Sequence, residues 1–221
     1  MNIPADIHTH RLPQVPGAAI VNCYPETFSP QSGGWYSIGI HPWHIGRSGD
    51  GHSVAGGVAD SRECGLEELA RHPQVLAVGE AGLDKLADAP MDLQVEIFRH
   101  QARLAEEVGK PLVIHLVKAT DELLKVKCVL CPSNPWIIHG FRGKAALAEE
   151  YLKHGFYLSF GEKFQEAALR LIPADRLFIE TDESGVPVGE LYARAAEVRG
   201  ISPGELGETV RRNVRAVFFK P

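Results

Sequence analysis

The residues Asp6-Ile7-His8-Thr9-His10 lie near the start of a 221-residue chain. In a β-strand, residues two apart share a face, so Asp6, His8 and His10 would point the same way. Two imidazoles side by side can be neighbouring ligands of one metal ion, and Asp6 is placed to orient one of them. A hydrated polar segment carrying two histidines is the plain alternative, and the rest of the chain has to decide between them.

More residues of ligating type stand at the ends of short apolar runs. Trp35–Ile40 leads into His41-Pro42, where the proline holds His41 extended. Val75–Glu80 ends in a carboxylate, Pro111–His115 and Trp136–His139 end in imidazoles, and Leu177–Thr181 leads into Asp182. The candidate ligands are therefore His8, His10, Glu80, His115, His139 and Asp182. Four imidazoles and two carboxylates exceed the needs of one tetrahedral ion. They suit two divalent ions bridged by a carboxylate, for which Glu80 is the choice. Taken singly, each histidine also reads as a buried, hydrogen-bonded core residue; placement of all six at strand ends argues for ligands. Imidazole suits zinc, while carboxylate and water suit magnesium or manganese, so the metal stays open among Mg, Mn and Zn. Glu180 shares the strand face of Asp182 and reads as a partner of the ligands.

Elements able to position these groups follow from periodicity. Strands are predicted at Ile3–Ile7, Ala18–Asn22, Trp35–Ile40, Val75–Glu80, Pro111–His115, Trp136–His139, Phe156–Phe160 and Leu177–Thr181. Helices are predicted at Arg62–Arg71, Met91–Val108, Ala119–Lys127, Lys144–His154, Phe164–Leu171, Val188–Val198 and Pro203–Phe219. Arg11–Gly17, Cys23–Gly34 and Gly46–Asp60 read as loops, and Gly82-Leu83-Asp84 as a turn. Short apolar strands alternating with amphipathic helices predict an α/β fold: a single compact (β/α)8 TIM barrel over residues 1–221, with reduced first two βα units. In such a barrel the C-terminal strand ends converge on one face. An open doubly wound sheet is the alternative, but no Gly-rich phosphate loop follows the first strand.

The net charge is −5 and no long Lys/Arg run occurs, so nothing global advertises nucleic-acid binding. No apolar run approaches a membrane span, and the first residues lack the basic and hydrophobic regions of a signal peptide, which predicts a cytoplasmic protein. Cys23, Cys64, Cys128 and Cys131 are then free thiols; the Cys128/Cys131 pair has zinc-compatible spacing but lacks a second such pair. His44, His52, His72, His100 and His154 fall away from strand ends and are left to the surface. Trp35, Trp43 and Trp136 read as core or loop-anchoring residues, with stacking on bases the other option.

The segments Asp6-Ile7-His8-Thr9-His10, Gly39-Ile40-His41-Pro42, Gly79-Glu80-Ala81-Gly82-Leu83-Asp84, Ile114-His115, His139-Gly140-Phe141-Arg142-Gly143 and Glu180-Thr181-Asp182, in that order, resemble the TatD family of metal-dependent hydrolases and deoxyribonucleases. Asn213–Phe219 resembles that family's last helix. The resemblance implies a barrel, a divalent-metal centre and phosphoester hydrolysis. His8, His10, Glu80, His115, His139 and Asp182 match the family's ligands, and His41 matches a histidine near the substrate. The chain departs from the pattern at Val117, where the family usually has arginine (Lys118 is next door), and at Glu183-Ser184-Gly185 after the final aspartate. The expected reaction is attack of a metal-activated water on phosphorus, with Asp182 as general base and Lys118 and Arg142 neutralising the phosphate. DNA or a smaller phosphoester is the expected substrate, with no membrane and no obligate protein partner. The alternatives are an amidohydrolase-type C–N or ester hydrolase on the same barrel, and a binding module that keeps metal without turnover.

Overall fold

The computed structural model describes residues 3–46 and 65–219. The loop expected over Gly46–Asp60 and the start of the helix expected at Arg62 lie outside those residues, Gly46 excepted, as do His52 and Cys64. Eight strands follow one another in the sheet in chain order: β1 Asp6–Thr9, β2 Ala19–Cys23, β3 Trp35–Ile38, β4 Val75–Asp84, β5 Leu112–Val117, β6 Trp136–Ile138, β7 Tyr157–Phe160 and β8 Leu177–Ile179. The helices are α1 Leu66–Ala70, α2 Met91–Glu107, α3 Thr120–Leu130, α4 Ala145–Lys153, α5 Glu166–Leu171, α6 Val188–Arg199 and α7 Pro203–Phe218. Parallel strands in sequential order with intervening helices are the (β/α)8 barrel fold. As expected, no helix separates β1 from β2, and the link from β2 to β3 holds only a 3-10 turn at Pro25–Thr27. No described helix is long and apolar enough to cross a membrane.

The chain divides into two compact units. The first comprises Met1–Val21, Gln31–Trp35 and Trp136–Pro221. Its strands β6, β7 and β8 are short apolar runs, and Trp136, Leu158, Phe160, Leu177 and Phe178 are fully buried there. Helix α7 begins with a reciprocal cap: Ser202 Oγ accepts from the Glu205 N–H (3.2 Å), and Glu205 Oε2 accepts from the Ser202 N–H (2.8 Å). Its buried face carries Leu206, Val210, Val214, Val217 and Phe218. Asn213 pins the same helix to the sheet, its Nδ2 donating to the carbonyls of Ala174 (2.7 Å) and Leu177 (2.9 Å).

The second unit comprises Asn22–Pro30 and Tyr36–Pro135. Its centre is β4, ten residues long and buried throughout. The turn expected at Gly82-Leu83-Asp84 is corrected here: these residues continue the strand and pair in register with His115, Leu116 and Val117 of β5. The reason is close packing. A Cβ on Gly82 would stand 1.9 Å from the His115 carbonyl oxygen, so glycine lets the two backbones approach. Two buried amides of α2 fasten the strand ends. Gln101 accepts from the Ile40 N–H (2.7 Å) and donates to the Ile40 carbonyl (3.0 Å), while Gln94 does the same for Asp84 (2.8 and 3.0 Å).

Candidate metal centre and its surroundings

In the first unit, backbone pairing sets the ligand geometry. β1 is a buried four-residue strand that ends two residues later than expected, at Thr9 and not Ile7, so His8 lies within it and His10 just beyond. After β8 the chain pairs with β1 again: the Asp182 N–H donates to the His8 carbonyl (2.9 Å) and the His10 N–H to the Asp182 carbonyl (3.3 Å). Asp182 holds a left-handed conformation, φ 55°, which costs on the order of 1 kcal/mol in a residue other than glycine. That turn aims its carboxylate at the two imidazoles. Asp182 Oδ1 lies 3.9 Å from His8 Nε2 and 3.6 Å from His10 Nε2. These separations are too long for hydrogen bonds. They are close to the edge of about 3.4 Å expected between ligand atoms of one tetrahedral ion with bonds of about 2.1 Å. His8, His10 and Asp182 thus form a donor set that fits a divalent metal ion.

His139 follows β6, with its ring 4.3 Å from that of His8. Its Nδ1 is 3.2 Å from Glu180 Oε1, which also accepts from the Gly140 N–H at 2.6 Å. Glu180 is fully buried. Burial alone would raise its carboxyl, but the adjacent His139 and His8 outweigh it and hold it below the ordinary carboxylate range. With an anionic partner on Nδ1, Nε2 is the nitrogen through which His139 could ligate a metal. Asp6, expected to orient an imidazole, does something else: it accepts from the Thr181 N–H (3.1 Å), the Thr181 hydroxyl (2.6 Å) and the His8 N–H (3.2 Å). Burial pushes it up to about 7 against those bonds. It ties β1 to the segment bearing Asp182, so it positions His8 and Asp182 through the backbone. Arg142 is exposed, with Nη2 3.8 Å from Asp182 Oδ2. Both line a polar cavity of about 350 Å³ together with Lys163, Glu162 and Ser184.

In the second unit, His41, Glu80 and His115 come together. His41 Nδ1 accepts from the Trp43 N–H (3.1 Å), which leaves the proton on Nε2, 3.3 Å from Glu80 Oε1. His41 is thereby a donor at Nε2. Glu80 is buried, and its N–H donates to Asn22 Oδ1 (2.8 Å). His115 bridges two carboxylates, Nδ1 to Glu80 (2.9 Å) and Nε2 to Asp84 (3.0 Å). Asp84 was not among the expected site residues, although it closes the Gly79–Asp84 motif. Burial would raise its carboxyl, but hydrogen bonds from His115, Leu86 and Trp43 lower it. Lys118 is exposed at φ 56°, just past β5. Of the histidines left to the surface, His154 is exposed, whereas His44 and His72 are half-buried against the rings of Tyr24 and Phe28. His100 is half-buried beside Glu67.

Residues 26–219 match the family model described as TatD related DNase; the Asp6–His10 segment lies upstream of that span. The chain is 41% identical over 126 residues to the uncharacterized metal-dependent hydrolase YabD of Bacillus subtilis, covering 53% of this chain and 49% of YabD. It is 31% identical over 175 residues to the human 3'-5' RNA nuclease TATDN2, covering 74% of this chain and 22% of that protein. It is 29% identical over 216 residues to the 3'-5' ssDNA/RNA exonuclease TatD of Erwinia billingiae, covering 85% and 78%. The chain thus spans about half of the first relative and about a fifth of the second. Among solved structures, the TatD homolog YJJV from Escherichia coli superposes with a TM-score of 0.78 at 20% identity, over 99% of this chain and 98% of that one, a likeness of fold.

Proposed function

The chain belongs to the TatD-related DNase family, and from that premise we propose that it is a divalent-metal-dependent phosphodiesterase acting on single-stranded nucleic acid, with residues 1–221 serving as one hydrolase domain. The observation that carries this reading is the Asp182 carboxylate, with one oxygen 3.6 and 3.9 Å from two imidazoles and the other turned toward Arg142. The substrate class follows from relatives named as 3'-5' nucleases of RNA and single-stranded DNA.

The proposed ligands are His8, His10, Glu80, His115, His139 and Asp182, for two divalent ions, Mg, Mn or Zn. When bound, such ions polarise the phosphoryl oxygens and lower the pKa of a coordinated water. The chain's own groups do the rest. Asp182 Oδ2, on the cavity side, takes the proton of the attacking water as general base. Arg142 offers a fork of N–H donors to the phosphate as charge builds on it. His41 donates from Nε2 to a phosphate or leaving oxygen, and Lys118 supplies a second positive charge. Glu180 and Asp84 keep the imidazoles of His139 and His115 oriented.

The test is degradation of a single-stranded oligonucleotide with Mg²⁺, Mn²⁺ or Zn²⁺, alongside amide and lactone substrates and an EDTA control. Metal-dependent phosphodiester cleavage is expected, and Asp182→Asn should abolish it while leaving the circular dichroism spectrum unchanged. Cleavage at the wild-type rate by Asp182→Asn would remove Asp182 as the base. Turnover of amide or lactone alone would overturn the substrate class.

A further inference from the structure

Trp43 is 54% exposed and Leu86 is 64% exposed, two large apolar side chains in the second unit. They hang from opposite oxygens of one buried carboxylate. Trp43 Nε1 donates to Asp84 Oδ2 at 2.7 Å, and the Leu86 N–H donates to Asp84 Oδ1 at 2.7 Å. The same Oδ2 lies 3.0 Å from His115 Nε2. The Trp43 ring also meets His41 edge-on, with centroids 5.8 Å apart. An indole whose only N–H is already engaged cannot orient a ligand by hydrogen bonding. What it has left to offer is a flat π-face held at its edge by that bond.

We propose that Trp43 is the stacking platform for a nucleobase of the substrate, placed by Asp84 next to His41, the proposed donor to the scissile phosphate. The proposal rests on the nuclease reading above and deepens it, since it assigns the residue that holds a base of that substrate. A base fits the surface better than an aliphatic or charged group. Stacking needs a face and no donor, it tolerates any base, and a ring pinned at its edge loses little freedom when covered. The pinning also makes Trp43 specific to this role. Tryptophans that only fill a core are covered, as Trp136 is at 1% exposure, and Trp35 is half-buried against Phe219.

The experiment compares oligonucleotides ending in a normal thymidine and in an abasic tetrahydrofuran residue, cut by wild type, Trp43→Ala and Trp43→Phe. Wild type should prefer the base-bearing end in kcat/KM. Trp43→Ala should reduce that preference about ten-fold, chiefly through KM, and Trp43→Phe should keep most of it. A Trp43→Ala variant that keeps the wild-type preference overturns the proposal, whatever its absolute rate. A second measurement requires no turnover: fluorescence titration with a cleavage-resistant phosphorothioate oligothymidylate. Quenching in wild type that is lost in Trp43→Phe supports stacking at this ring. Equal fractional quenching in both overturns it, even if the nuclease assay itself fails.

Discussion

The division of labour within single side chains gives the site its chemistry. Asp182 turns one oxygen toward His8 and His10 and the other toward Arg142, so the proposed ligation and proton transfer would fall to different atoms of one carboxylate. His115 is held at both nitrogens by carboxylates, and that constraint makes Asp84 the residue to probe. Asp84→Asn keeps a carbonyl for the Trp43 indole but removes the charge facing His115. The expected result is a loss of metal affinity of about ten-fold or more, read as a shift in the Mn²⁺ concentration giving half-maximal cleavage, with secondary structure intact. An unchanged Mn²⁺ dependence would mean that Asp84 matters only to the loop carrying Trp43. Residue types at strand ends were legible in the sequence because buried parallel strands are apolar runs that break where polar chemistry begins. The role of Asp6 was not. Its partner Thr181 lies 175 residues away in the chain, and pairing across that distance leaves no local trace.

At the scale of elements, buried amides of α2 help to hold two strand ends in place. Gln101 reaches from α2 to both polar groups of Ile40, the residue before His41. Gln101→Leu would leave a buried N–H and a buried carbonyl without that partner, at a cost on the order of 2 kcal/mol. Urea unfolding should show a lower midpoint, and KM should rise as His41 loosens. Stability equal to wild type would show that the Ile40 groups find other partners. The helix at Met91–Val108 was readable from its periodicity, and Gln101 falls within its buried stripe with Ile97, Leu104 and Ala105. That a glutamine within such a stripe bonds the neighbouring strand became visible only once the packing was known. The length of β4 was hidden for a related reason. Gly82 and Asp84 carry the local signal of a turn, yet a Cβ on Gly82 would collide with the His115 carbonyl, just as one on Gly39 would stand 2.8 Å from Gly79. These glycines serve close approach between backbones, which the residue-by-residue signal cannot separate from turning.

The whole molecule carries a modest negative charge of −5, so affinity for a polyanion must come from the site and not from a general field. Its stability should depend on pH through Lys110, whose Nζ donates to the carbonyls of Ala70 (2.5 Å) and His72 (3.1 Å). Burial, with Arg71 adding repulsion, pulls this lysine down to about 8 from 10.5. Between those values the unfolded chain holds a proton that the folded chain has released. Folding is therefore favoured more strongly as pH rises through that window, and a Lys110→Met variant should lack this increment. Urea unfolding of both proteins at several pH values across the window checks it; parallel profiles would contradict it. The barrel was recoverable from the alternation of short strands and helices. The reduced first two βα units were recoverable too, because Pro, Ser and Gly crowd the stretches where helices would stand. The most direct test of the metal-centre claim is elemental analysis of dialysed wild type and of a His8→Ala/His10→Ala double variant. Wild type should retain about two divalent ions per chain, and the double variant should lose at least one of them together with oligonucleotide cleavage. A folded double variant with full metal content and wild-type cleavage would contradict it.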